Sequence, residues 1–399
     1  MKPILYQRAP FERLTKEPSQ YFFGYYDLNS YSSNKKYHLC HKVDFASRLP
    51  KCTDICELGM IRLYDREYIK LDTTTAWNFQ QGSMLQYNPA ASDSEIIYNT
   101  IINGEYKSVI KNIETGEKKI LPLPVANVNS TGTKALSINF ARLHDFRPGY
   151  GYDGIADRFR DEDRPVEDGV FLMDIKNSTF KLIASTEELY EFAVSKLKTN
   201  EYENWKFLIN HITFNPSSSR MVVLLRGHEK TFKTVYPSKW ITLTITMDDS
   251  GGDKFLLLDD LASHYHWRDD ENILFYAKTW KEHIWGMHLF KDKSHEYMTF
   301  DKAKTMESDG HISFSPCRKY ILNDSYPKNG YRTLYLHDIA NDKTINIADV
   351  LSVPANLLEY SDIRCDLHPR WNNDSTAFSF DSVHEGHRHI YQVLLEDIL

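Results

Sequence analysis

Residues 211–225 read HITFNPSSSRMVVLL: a polar residue, an alternating strand, a turn of Asn, Pro and Ser, then a second strand of β-branched and apolar residues. That is a hairpin signature. It recurs as HISFSPCRKYIL from His311, HPRWNNDSTAFSF from His368, HYHWRDDENILFY from His264 and MLQYNPAASDSEIIY from Met84. VANVNSTGTKALSI from Val125 and LNSYSSNKKYHL from Leu28 follow it more loosely. Most copies are followed by two further short strands, such as RTLYLHDI then KTINIAD. Seven four-stranded units, spaced roughly 40–60 residues apart, predict an all-β, seven-bladed β-propeller with antiparallel blades. The blades fall near 20–74, 75–123, 124–187, 205–258, 259–303, 304–352 and 360–399, in a single domain. One short helical insertion, TEELYEFAVSKLKT, is expected near 186–200. The long segment 141–169, ARLHDFRPGYGYDGIADRFRDEDRPVEDG, reads as a loop between strands of the third blade.

Composition narrows the function classes. The chain has 399 residues and a net charge of −7, so nothing drives it towards nucleic acid or anionic lipid. The N-terminus, MKPILYQRAPFERLTKEP, has too short an apolar stretch for a secretory signal. No run approaches the ~20 apolar residues of a membrane span. The expected location is the cytoplasm. Five cysteines at irregular spacing do not suggest a disulfide framework. Cys52 and Cys56 lie near His38 and His41, but the spacing matches no standard zinc site. No GxGxxG, P-loop or G-x-S-x-G pattern is present.

Alignment of the repeats exposes the candidate site. Three residues before the pre-turn aromatics Phe214, Trp267, Phe314 and Trp371 stand His211, His264, His311 and His368. Equivalent starts of four consecutive inner strands are expected to bring these imidazoles to one channel mouth. His266 shares a strand face with His264 and is the alternative member. The exits of the second strands belong to the same rim: Arg142 and His144, Arg226 and His228, Lys278, Asp324 and Tyr326, and Asp381 with His384 and His387. A basic pocket in a net acidic protein suits an anion, and a sugar carboxylate is the natural candidate. The first two blades add Tyr25, Tyr26, Asp27, Gln80 and Gln81, with Trp77 nearby.

The motifs NHITFNPSSSRMVVLLRGH, SHYHWRDDENILFYA, SDGHISFSP and CDLHPRWNNDSTAFSFDSVHEGHRHIY resemble the oligogalacturonate lyase family, chiefly over residues 205–399, and the wider TolB-like propeller repeats. FGYYD, TTAWNFQQGSMLQY and SINFARLHDFRPGYGY resemble a group encoded with bacterial surface-polysaccharide genes. The resemblance implies metal-assisted β-elimination on a uronic acid. It makes His211 the Brønsted base and His264 or His266 a metal ligand. The family's remaining ligands follow a Gln-x-x-His-x-His pattern, which here reads Cys365, His368 and Arg370. Arg370 can supply positive charge where a ligand is lost, and His311 can restore one. The reading is therefore a divalent metal (Mn, Zn or Fe) at His264, His266, His311 and His368. Arg226 and Arg142 bind the carboxylate, and Tyr326 acts as the acid. Gln80, Gln81, His144, Lys278, Arg370 and His384 bind the rest of an acidic oligosaccharide or polysaccharide.

Two other readings use the same rim. A non-catalytic propeller could bind an acidic glycan or a partner protein in bacterial surface-polysaccharide biosynthesis, and needs no base. A hydrolase would need two facing carboxylates among Asp27, Asp309, Asp366 and Asp381.

Overall fold

In the computed structural model the chain is a seven-bladed β-propeller of antiparallel, four-stranded blades. All residues are described except 17, 232–236, 238, 261, 281, 307, 354–357 and 359–360. Contacts group the residues into two units. One comprises Met1–Ile101, Val109–Lys119 and Phe300–Leu399; the other comprises Ile102–Ser108 and Ile120–Thr299.

The repeated turn explains why each hairpin closes. Asn215 Oδ1 accepts from the backbone N–H groups of Ser219 and Arg220, at 3.0 and 3.1 Å. Asn129 and Asn372 do the same for Thr133 and Lys134 and for Thr376 and Ala377. Ser32 and Ser315 offer a hydroxyl oxygen instead, to Tyr37 and Tyr320. Three residues after each of these five stands a left-handed residue: Lys35, Gly132, Ser218, Arg318 or Ser375. A short polar side chain that bonds its own downstream backbone is what drives the chain through such a turn.

In the first unit, blade one runs through Gln20–Phe22, Tyr37–Val43, Cys56–Arg62 and Glu67–Thr74. Blade six runs through Ser313–Phe314, Tyr320–Asp324, Tyr331–Asp338 and Lys343–Leu351, with Ile4–Gln7 as a fifth strand. Blade seven takes Arg370–Trp371, Ala377–Ser382 and His389–Leu394 from the C-terminal end of the chain, and Glu12–Arg13 from the N-terminal end as its outer strand. The last blade is thus closed by strands from both ends of the chain. Leu322, Leu334, Leu336, Phe378, Phe380 and Val393 form the buried core between blades six and seven.

In the second unit, blade three runs through Asn127–Val128, Lys134–Ser137, Gly169–Asp174 and Thr179–Ser185. Blade four runs through Lys206–Phe214, Arg220–His228, Trp240–Asp248 and Phe255–Leu258. Blade five runs through Ala262–Trp267, Asn272–Lys278, Trp285–Lys291 and Tyr297–Phe300. Val222, Leu224, Tyr265, Trp267, Phe275 and Phe290 are buried together between blades four and five. Blade two, most of whose residues fall in the first unit, is the sheet of Gln86–Tyr87, Glu95–Ile102, Glu105–Asn112 and Lys118–Leu121.

Among the described residues two α-helices are present rather than one. The segment read as a loop begins with α1, Phe140–Phe146, so Arg142 and His144 are helical and do not lie on a strand exit. Its signal is a cap: the Asn139 side chain accepts from the N–H of Arg142. Gly151 then passes so close that a Cβ there would sit 2.2 Å from the carbonyl oxygen of Phe140. The second helix, α2, spans Thr186–Leu197, capped by Ser185 and carrying Glu187 and Glu188 in its first turn.

Candidate functional site

The four aligned histidines fall at places where the inner strands leave regular pairing. The register of Lys206–Phe214 shifts between Ile209 and His211, and that of Ala262–Trp267 between Ala262 and Tyr265, around His264. His311 and His368 precede their two-residue strands, and His368 has a φ of 41°. A broken ladder frees the backbone there and lets the imidazole be aimed by other groups.

In the first unit this aiming is complete. His311 Nε2 and His368 Nε2 lie 3.1 Å apart, with the rings at 87°. Asp324 clamps the pair from behind. Its Oδ1 takes the His311 backbone N–H and stands 2.8 Å from His311 Nδ1, while its Oδ2 takes the N–H groups of Leu367 and His368. His311, Asp366 and His368 are buried and present one ligand atom each, all within 4.8 Å of one another. Asp366 is in turn held by Arg364, at 3.0 and 2.8 Å, and by Arg332. Burial pushes the Asp366 and Asp324 carboxyls up, but Arg332 and Arg364 around the first, and His311 and Arg332 around the second, bring both below the ordinary value. Tyr25 lies edge-on to both imidazoles, at 5.3 Å from His368 and 6.1 Å from His311, and Tyr26 is 5.4 Å from His311.

Arg370 extends this cluster. Its Nε donates to the His368 carbonyl at 2.7 Å and its Nη2 pairs with Asp381 at 2.9 Å, beneath the ring of Phe23. Its Nη1 is buried with no hydrogen-bond partner among the described residues. Tyr326, 37% exposed, has the guanidinium groups of Arg332 and Arg364 at 5.6 and 6.0 Å from its ring. Gln80 is buried and gives its amide to the carbonyls of Asp362 and Arg364, at 2.8 and 3.0 Å, so it braces the Arg364 segment. The Gln81 carbonyl oxygen would lie 2.9 Å from a Cβ at Gly24, which explains the glycine before Tyr25 and Tyr26. His384 is buried among Ser382, Phe11 and Tyr391, a packing role.

The second unit holds the other predicted residues. His211 is buried with Tyr265 at 5.4 Å. His264 is buried beside Ser263, and His266 is half-buried, paired in the ladder opposite Leu274. Arg226 reaches Asn210 and Thr242 at 3.2 and 3.1 Å and lies 6.0 Å from the ring of Phe146. His144 sits on α1, its Nε2 3.8 Å from Asp153, and burial lowers its pKa. Lys278 pairs with Asp260 at 2.6 Å.

Arg142 needs a correction as a carboxylate binder. Its Nε donates to Phe207 O, its Nη1 to Asp157 Oδ2 and Phe159 O, and its Nη2 to Glu162 O and Asp163 O. A guanidinium has five N–H donors, and all five are used inside the protein. Arg142 pins the insertion after α1 and has none to give a ligand.

The remaining alternatives also find physical answers. Asp366 and Asp381 are engaged by arginines, which removes them as a free carboxylate pair. His38 bonds Leu39 O and Ser379 on one side of its strand, and His41 meets Ser83 on the other, so they do not converge with the buried thiol of Cys56. Sequence reasoning missed Arg332 and Arg364. The only sign of Arg332 was one cation inside the apolar strand YRTLYL.

No family model and no curated protein matches the chain. Among solved structures, an oligogalacturonate lyase in complex with manganese aligns with a TM-score of 0.67 at 13% identity, covering 98% of this chain and 94% of that one. An oligogalacturonate lyase from Vibrio parahaemolyticus aligns with a TM-score of 0.64 at 13% identity, covering 98% and 95%. The β-propeller domain of the Trilobed protease from Pyrococcus furiosus gives 0.50 at 11% identity, covering 94% and 96%. The likeness is one of fold. Among the described residues no helix is long and apolar enough to cross a membrane.

Proposed function

We propose that this chain is a polysaccharide-lyase-like enzyme that carries out β-elimination on a uronic-acid-containing oligo- or polysaccharide. The observation that carries the reading is the buried set of His311, His368 and Asp366, with Asp324 fixing His311 from behind. Two imidazole nitrogens 3.1 Å apart need a proton or a cation between them. A carboxylate on the far nitrogen of a ligating histidine is the usual support of a metal centre. The donor set fits a divalent ion of the Mn, Zn or Fe class, and a structural neighbour is an oligogalacturonate lyase in complex with manganese. When bound, such an ion supplies positive charge that neutralises the substrate carboxylate and acidifies the proton at C5.

The protein groups supply the rest. Arg370, with Nη1 unmet and its other contacts holding it in place, is the guanidinium suited to receive the carboxylate. His211, the base in the resemblance, takes the C5 proton. The electron pair forms the C4–C5 double bond as the C4–O bond breaks, and the leaving oxygen takes a proton from Tyr326 or water.

The test is tag-free protein with uronate oligosaccharides, followed by the ultraviolet absorbance of the unsaturated product and by metal analysis. The expected result is product formation that His211→Ala abolishes, and stoichiometric metal that His311→Ala and His368→Ala lose. Unchanged turnover in His211→Ala rejects the base, and metal-free active protein rejects the cation. Binding without product supports the non-catalytic glycan-binding propeller, which Cys365 and Arg370 at family ligand places favour.

A further inference from the structure

On blade five, the face opposite the one buried against blade four carries two aromatic rings at one end, Trp285 exposed and Tyr276 partly buried, while Leu274, Met287 and Leu289 on the same face are buried. Ile273, Phe275 and Ala277 point into the core. Tyr276 and Lys278 alternate with them and therefore share the other face. Lys278 is directly opposite Trp285 in the ladder, and its Nζ lies 5.4 Å from the Trp285 ring centroid. The Tyr276 ring is 6.1 Å from the Trp285 ring at an interplanar angle of 29°. That separation at a shallow angle is an offset arrangement. Trp285 is 42% exposed. Asp260 fixes the ammonium group of Lys278 at 2.6 Å and leaves it further N–H donors. Ala262 pairs with Ala277, so this group stands at the end of the blade where the inner strand begins, two residues from His264.

We infer that Trp285, Tyr276 and Lys278 form a sugar-stacking subsite for a pyranose ring of an acidic saccharide. The chemistry is specific to such a ligand. The C–H face of a pyranose covers the apolar faces of the two rings, and their polar edges stay hydrated. A uronate carboxylate beside that ring meets the Lys278 ammonium. The inference rests on the acidic-saccharide reading above. It extends that reading to a second contact, on the rim of blade five, that longer chains reach and short ones do not.

The experiment is calorimetric titration of the full chain with oligogalacturonates of increasing length, alongside neutral oligosaccharides of matched length. Affinity of the wild type is expected to climb with length for the acidic series. In Trp285→Ala that gain falls roughly tenfold, and in Trp285→Phe part of it returns. Lys278→Ala should erase the preference for acidic over neutral oligosaccharides. Wild-type and Trp285→Ala curves that coincide at every length overturn the subsite and leave the lyase reading standing. No binding of any acidic oligosaccharide by the wild type removes both. Sedimentation of the same proteins closes the remaining route: a wild-type dimer that Trp285→Ala converts to monomer makes this face a self-association surface and overturns the inference.

Discussion

His311 and His368 in one unit, and His211 and His264 in the other, occupy the same place in the repeat and meet different neighbours. The reason lies on the adjacent strand. Phe214 pairs with Met221, Trp267 with Ile273, Phe314 with Ile321 and Trp371 with Phe378. Three residues beyond those partners stand Leu224, Tyr276, Asp324 and Asp381. The first unit therefore offers carboxylates where the second offers apolar or aromatic groups. Asp324 gathers the N–H groups of both inner-strand starts and locks His311, whereas His211 faces Leu224 across the ladder and Tyr265 from the side. A histidine at a repeat position is only a candidate; the group opposite decides whether its ring is clamped by a carboxylate or packs against apolar and aromatic neighbours.

The strongest way to break this contrast is to remove the carboxylate. Asp324→Ala leaves buried N–H groups of His311, Leu367 and His368 without their acceptor and deprives Arg332 of a nearby negative charge. The expected loss is about 4–5 kcal/mol of stability in urea denaturation. Asp324→Asn keeps the shape and is expected to retain the fold; under the proposed metal reading it lowers metal affinity by about 10–100-fold. A loss below about 1 kcal/mol in the alanine variant would mean that the pair is held by something else.

The counterpart in the second unit is Arg142→Ala. It strands the fully buried carboxylate of Asp157 and frees three backbone carbonyls of the insertion and that of Phe207 in the neighbouring strand. A cost of about 3–4 kcal/mol is expected, with new protease sensitivity within residues 147–169. Arg142→Lys should rescue little, because one ammonium cannot reach five acceptors. A stable, protease-resistant alanine variant would show that the insertion is anchored elsewhere.

These two residues also mark what the sequence could and could not disclose. The blades were legible because Asn and Ser turns recur at a fixed distance from alternating strands. His311 and His368 were legible as equivalent positions for the same reason. The fate of Arg142 was not, since its five acceptors are mostly carbonyls of a long segment whose path the sequence does not reveal. Arg332 and Arg364 were hidden for a related reason. Their partner Asp366 lies 34 residues beyond Arg332 and only two beyond Arg364, and only folding brings the three together.

The strand Tyr37–Val43 and the blade-three strands beside Asp168 should also answer acid differently. Burial lowers the pKa of His38 and of His41 to about 3, and Arg370 adds to it in both cases. An imidazole that resists protonation when folded contributes stability that is complete above its unfolded pKa, near 6.5, and is lost as pH falls below it. At pH 5 each costs about 2 kcal/mol. Hydrogen exchange should therefore speed up in Tyr37–Val43 between pH 7 and 5. His38→Gln and His41→Gln should blunt that change, and unaltered exchange would refute the cause.

Asp168, in the second unit, carries the opposite sign and the smallest effect. Burial raises its carboxyl to about 6, against the Asn139 hydrogen bond and the Arg142 charge, with Asp157 adding to the rise. A carboxyl that binds its proton more tightly when folded gains stability as pH falls from about 6 towards its unfolded value near 4. Between pH 7 and 5 that gain is about 1 kcal/mol. Protection in Gly169–Asp174 and Thr179–Ser185 should thus rise slightly over the interval in which Tyr37–Val43 loses it. Asp168→Asn, neutral at every pH, should flatten the rise and leave the His38 and His41 response in place. If the variant keeps the wild-type slope, the proton belongs to another group, and the opposed acid responses of the two regions have a different origin.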